Sequence, residues 1–178
     1  MRLTFLGTGT STGVPVIGCK CKVCQSSDIR DKRMRASVFL EVDDKNILID
    51  CGPDFRAQML FHDIDQIDAI LLTHKHIDHI GGIDDLRPLG NKKIYLDKQT
   101  EDAVRQMYGY CFAENPYPGV PSLSLERISY EPFKICDGTI EVIPIRVMHG
   151  KMEIMGYRIG NFAYITDVSS LADDAEYE

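Results

Sequence analysis

The sequence predicts a mixed α/β (α+β) chain, and three observations carry that reading. Short runs rich in Val, Ile and Leu recur along its 178 residues, bounded by Gly, Pro, Asn or Asp, the pattern of buried or half-buried strands. Two longer segments, Phe55 to Phe61 and Lys98 to Tyr110, place apolar residues at helical spacing instead. Side chains of metal-ligand type stand at several predicted strand ends, where rigid elements hold functional groups beneath open loops. The length suffices for one core, and no repeat or linker divides the chain, so a single domain over residues 1–178 is expected.

The elements follow in order. Arg2 to Leu6 reads as a first strand and runs into Gly7-Thr8-Gly9-Thr10-Ser11-Thr12-Gly13. This tight polar loop is either a plain turn or a place where backbone N–H groups approach an anion; its spacing is not that of a P-loop. Cys19-Lys20-Cys21-Lys22-Val23-Cys24 comes next. Cysteines this close make a poor disulfide framework, so they read as a zinc knuckle with a fourth ligand elsewhere, or as reduced thiols. Gln25 to Arg35 gathers Arg30, Lys32, Arg33 and Arg35, either a solvated face or a phosphate-binding edge. Ser37 to Val42 and Asn46 to Cys51 form a hairpin about Asp43-Asp44-Lys45. Asp50, at the end of its second strand, is a turn aspartate or a hydrogen-bond partner of a metal-binding histidine. His62 reads as a surface histidine.

Ala69 to Leu72 is a short buried strand, and it runs straight into T-H-K-H-I-D-H, Thr73 to His79. Ile83 to Leu86 is helix-like, Lys93 to Leu96 a strand, and Glu114 to Pro121 a proline-rich loop that could rim a pocket through Tyr117. A second set of strands occupies Leu123 to Ile128, Lys134-Ile135, Thr139 to Val147, Ile154 to Ile159 and Phe162 to Ile165. Pro144 suggests an edge or bulge in the third of these. His149 and Asp167 follow two of these strands.

In extended chain, residues two apart share a face, so His74 and His76 can bind one ion. Asp78 and His79 lie past a bend and point to a neighbouring position. Four histidines and two aspartates (with His149 and Asp167) suit two ions better than one, and Asp167 is the candidate bridge. Two ions ~3.5–4 Å apart can clamp the oxygens of an in-line displacement. The mixed N/O set suits Zn²⁺, with Mn²⁺ or Fe²⁺ as alternatives.

These residues resemble the H-x-H-x-D-H signature of the metallo-β-lactamase superfamily. The resemblance implies an αββα sandwich with a first ion on His74, His76 and His149, a second on Asp78 and His79, and Asp167 between them. G-T-G-T-S-T-G-V-P, C-x-C-x-x-C and V-M-H-G-K are similar to the branch that cleaves phosphoribosyl 1,2-cyclic phosphate. That branch implies a structural zinc on Cys19, Cys21 and Cys24 with a distant histidine. No histidine follows His149, so the resemblance also implies a C-terminally truncated version of the fold, its second half incomplete and its second ion one ligand short.

The expected function is that of a metal-dependent hydrolase, a phosphodiesterase whose metal-bound hydroxide attacks a small cyclic or diester phosphate. Asp78, His149 and Asp167 are its candidate catalytic residues, and Lys151 is either a phosphate contact or a solvated lysine. The rivals are a tRNA-processing nuclease, a thioester or lactam hydrolase, and a non-catalytic metal-binding protein. The formal charge of −7 weighs against nucleic-acid binding. No apolar stretch approaches the ~20 residues of a membrane span, and Met1 to Leu6 lacks a signal-peptide pattern. A cytoplasmic protein without a membrane partner is therefore expected; a homodimer is compatible with this reading.

Overall fold

The computed structural model describes residues 1–171. Its first sheet has six strands in the order β1-β2-β3-β4-β5-β6: β1 (Arg2–Gly7), β2 (Ser37–Val42), β3 (Lys45–Ile49), β4 (Ala69–Leu71), β5 (Lys92–Leu96) and β6 (Leu123–Arg127). β1, β2 and β3 pair antiparallel in succession, whereas β3 to β6 run parallel. The β2–β3 connection is a two-residue turn in which Asp43 and Asp44 take φ of 48° and 62°. Two consecutive left-handed residues match the right-handed twist of a hairpin, and Asp tolerates that backbone.

The second sheet contains β7 (Phe133–Ile135), β8 (Ile140–His149), β9 (Met152–Ile159), β10 (Phe162–Tyr164) and β11 (Ser170–Leu171) in the order β10-β9-β8-β11, with β7 also on β8. The two sheets face each other across one core. Val38, Leu40, Ile47, Ile49 and Leu71 from the first meet Ile140, Val142, Met155, Tyr157 and Ile159 from the second. On its other face the first sheet packs against α1 (Phe55–His62), a one-turn α2 (Ile77–Ile80) and α3 (Lys98–Met107), through Phe39, Leu48, Phe55, Met59, Ile80 and Val104. α3 starts where the Asp97 carboxylate accepts hydrogen bonds from the N–H groups of Gln99 and Thr100, satisfying two of the unpaired donors of a helix start. Among the described residues no helix covers the outer face of the second sheet, so the αββα layering is seen there as α-β-β.

Several boundaries depart from expectation for physical reasons. His149 is the last residue of β8 and does not lie beyond it, because pairing with β9 continues to His149–Met152. Pro144 sits inside β8, opposite Tyr157 on β9. On the other side β7 reaches only Val142 and β11 begins at Val147, so a missing N–H there breaks no ladder. β11 is too short to be legible in the sequence. The Glu114–Pro121 loop enters β6 at the N-terminal end of the parallel strands, whereas Thr73 to His79 leave the C-terminal end of β4. The loop therefore does not border the histidines.

The second sheet braces the histidine strand directly. The fully buried Tyr157 hydroxyl donates to the Leu72 carbonyl, and the Met155 N–H donates to the Thr73 carbonyl. Tyr157→Phe leaves the Leu72 carbonyl without this donor; it should lower stability by ~1–2 kcal/mol and the thermal midpoint by a few degrees, read by calorimetry.

Candidate metal centre

Asp50 is where the site begins. It follows β3 with a φ of 66°, no solvent exposure, and its N–H bonded to the Leu71 carbonyl. One carboxylate oxygen accepts from the Thr73 N–H at 2.8 Å, and the Thr73 hydroxyl lies 3.0 Å from both oxygens. The other oxygen lies 2.7 Å from His79 Nδ1. A hydroxyl has one proton. If Thr73 gives it to Asp50, its oxygen accepts from His74 Nδ1, 2.9 Å away. Asp50 thus orients His79 directly and His74 through Thr73, leaving Nε2 of both rings free for a metal. Of the two sequence readings of Asp50, the hydrogen-bond partner is the one the structure supports. The role of Thr73 is not evident from the sequence; a hydroxyl immediately before the first histidine is its only signal.

Two glycines let the backbone close over this point. A Cβ on Gly52 would stand 2.1 Å from the Asp78 carbonyl oxygen, and one on Gly82 would stand 2.1 Å from that of Gly52. Cys51 N–H donates to the His79 carbonyl, and Gly82 N–H to that of Cys51. The start of α2 is therefore locked onto the end of β3.

Around this support the chain gathers donors from three places. His74, His76, His149 and Asp167 each offer an atom within 4.8 Å of the others, as do Asp78, His79 and Asp167. His74 Nε2 and His76 Nδ1 are 3.0 Å apart, near the ~3.3 Å separating two tetrahedral ligands with ~2.0 Å bonds. Asp167 belongs to both groups: its Oδ2 lies 3.4 Å from His74 Nε2 and 3.0 Å from His79 Nε2. Like Asp50, Asp167 holds a left-handed backbone, φ 50°, a conformation that costs energy outside glycine and collects at functional sites. Lys151 lies exposed in the turn after β8, and His62 is in neither donor group.

The electrostatics fit a cation. Burial, helped by the neighbouring His79 charge, pushes His74 down to about 4, so it stays neutral and able to ligate. Burial acts against protonation at His79 too, but Asp50, with Asp167 and Asp78, outweighs it and raises the ring to about 10. The bond to His79 holds Asp167 down at about 2. The His79 proton thus sits among three carboxylates, a place whose field suits a cation.

The second cluster lies apart. Cys19, Cys21 and Cys24 bring their sulfurs within 4.8 Å of one another, and among the described residues no fourth donor joins them. The Cys24 N–H points at the Cys21 sulfur. Mainly for that reason the Cys21 thiol falls to about 7, into the range of a ready thiolate ligand.

A sandwich that presents two adjoining His/Asp donor groups at the ends of its strands defines a metallo-β-lactamase-type fold and site. Residues 45–178 match the Beta-lactamase superfamily domain, and the chain belongs to that superfamily of metallo-hydrolases, in its PhnP-like branch. The crystal structure of a diphosphatase from the PhnP family is 42% identical, with a TM-score of 0.88 over 98% of this chain and 68% of that one. A Porphyromonas gingivalis protein named octanoyltransferase is 49% identical over 97% of this chain but only 36% of its own length. A Methanococcus maripaludis ribonuclease Z is 29% identical over 75% of this chain and 44% of its own. The chain thus spans less than half of either curated relative.

Two outcomes test the support. Asp50→Asn should weaken divalent-metal binding by ~10–100-fold, measured by competition with a chromophoric chelator. A metal that takes His79 Nε2 must displace its proton, so binding should release about one proton near pH 7 and tighten as pH rises. Calorimetry in buffers of different ionisation enthalpy reads both.

Proposed function

We propose that this chain carries the two-metal centre of a phosphodiesterase acting on small diester or cyclic phosphates. The observation that carries the reading is Asp167 Oδ2, which faces His74 Nε2 and His79 Nε2 at once. His74, His76 and His149 would hold the first ion, Asp78 and His79 the second, and Asp167 would be shared. The donors fit: neutral imidazoles and carboxylates are the ligands of Zn²⁺ and Mn²⁺. When bound, such ions supply Lewis acidity toward phosphoryl oxygens and activate water at neutral pH.

The chain's own groups set the rest. Asp167 is a permanent anion at pH 7 and His74 is neutral, so neither serves as a proton donor to the leaving oxygen. Their work, with Asp78 and His149, is to fix positions. Lys151, two residues past His149, is the group we assign to an outer phosphate oxygen. The likeness to the PhnP-family diphosphatase supports hydrolysis at phosphorus. Cys19, Cys21 and Cys24 would bind a structural zinc.

One second reading has an observation behind it. The likeness to the protein named octanoyltransferase favours an octanoyl-type acyl compound as substrate, whose carbonyl the same ions would polarise. The match covers 36% of that protein, so octanoyl transfer itself is not carried over.

The test is metal-dependent turnover of bis(p-nitrophenyl) phosphate and a ribose cyclic phosphate beside an octanoyl thioester. Phosphate-ester cleavage that falls by at least ~100-fold in His76→Ala supports the proposal, because removing one ligand disables the ion it positions. Full activity in that variant refutes it, and turnover of the thioester alone favours the second reading. Metal titration should show the site of three histidines filling before that of Asp78, His79 and Asp167.

A further inference from the structure

Two features of the sequence stay outside the metal centre, the Gly7–Gly13 loop and the basic run Arg30 to Arg35. The fold sets them side by side. Gly9 N–H donates to the Met34 carbonyl at 2.7 Å, and Val14 and Arg33 exchange N–H···O bonds of 2.8 Å. Between this pairing and the C-terminal end of α1 lies a cleft of about 630 Å³. β1 runs parallel to β3 through two antiparallel steps, so the Gly7–Gly13 loop leaves the same end of the sheet as Asp50, and the cleft lies along the β1 edge between that loop and Phe61 and His62. None of the six clustered histidines and aspartates lines it.

The lining is cationic in a protein of net charge −7. Arg30, Lys32, Arg33 and Arg35 face the cleft against one carboxylate, Asp54. Arg35 pairs with Asp54 at 2.8 Å, Arg30 with Asp28, and the Lys32 ammonium donates to the Ser26 carbonyl. Arg33 is exposed, and its guanidinium has no hydrogen bond or ion pair among the described residues. Apolar surface meets this charge. Phe5, Ile29 and Phe61 line the same cleft while 60%, 72% and 69% exposed. Aromatic rings left in water beside cations can take up a flat, anionic molecule. A concave space of this volume is also the size of a small-molecule site, not of a flat partner surface.

We propose that this cleft binds a nucleotide-class ligand, a planar ring carrying a phosphate, at a site separate from the metal centre. The ring lies against Phe5 and Phe61, and the phosphate engages Arg33 with Lys32. The phosphate contacts we assign are side chains, not the glycine N–H groups of the loop. The N–H groups of Gly9, Gly13 and Val14 are spent on Met34, Thr10 and Arg33, so they take no part, and Thr8 and Thr12 add hydroxyls to the lining.

The experiment is isothermal titration of the chain with AMP, adenosine and inorganic phosphate, repeated on Arg33→Ala, Phe61→Ala and His76→Ala. Arg33 and Phe61 are exposed, so both variants should keep the parent melting temperature. AMP should bind more tightly than either fragment. Arg33→Ala should weaken it at least ~10-fold, the effect of losing a charge-assisted bond. Phe61→Ala should weaken it ~3-fold or more through lost stacking, and His76→Ala should leave it unchanged. Three results overturn the proposal: no saturable AMP binding at millimolar concentration; binding lost in His76→Ala but kept in Arg33→Ala, which places it at the metal centre; or a dimer by sedimentation that Arg33→Ala and Phe61→Ala dissociate without any AMP binding.

Discussion

A carboxylate with no solvent access must be hydrogen-bonded on every side or its burial is prohibitive. Asp50 meets that demand with the Thr73 N–H, the Thr73 hydroxyl and His79 Nδ1. Those partners come from two other parts of the chain, the end of β4 and the start of α2. Satisfying one buried charge therefore fixes the positions of two of the clustered histidines. The same requirement accounts for the tight glycine contacts around it, since Gly52 and Gly82 allow the backbone of α2 to come down onto the end of β3.

The two sheets divide the work. The first supplies the compact motif and its support; the second brings the residues that complete it. His149 arrives at the end of β8, and Asp167 follows β10. Tyr157 and the Met155 N–H, from β9, hold the backbone of Leu72 and Thr73 between them. The Asp167 carboxylate can therefore stand against histidines about ninety residues away, at a distance set by core packing and not by local chain geometry. Cores that pack as densely as organic crystals transmit position in this way.

Charge is distributed unevenly over the molecule. The overall balance is acidic, and the carboxylates at the histidine cluster attract a cation. Along the β1 edge the sign reverses, with Arg30, Lys32, Arg33 and Arg35 around an apolar hollow. An overall negative charge argues against a sequence-independent grip on nucleic acid, but it says little about a local cleft, because screening confines such fields to ~8–10 Å.

Much of the site is legible because its chemistry is compressed into few residues. Three histidines and an aspartate within Thr73–His79 announce a candidate metal centre, and the hydrophobic run before them announces a strand. Hairpin turns, strand order of appearance and the two longer helices also follow from local patterning, whose causes act over a few residues. The roles of Thr73, Gly52 and Gly82 are not legible, nor is the extent of β8. Each depends on a neighbour distant in sequence: a buried carboxylate, a carbonyl, a partner strand. The pairing of the Gly7–Gly13 loop with the basic run is of the same kind. By itself, then, the sequence determined which ligand types exist and which strand presents them. Only the tertiary structure decided that one Asp167 oxygen faces two histidines and that Asp50 orients both, because those distances arise from packing two sheets against one another.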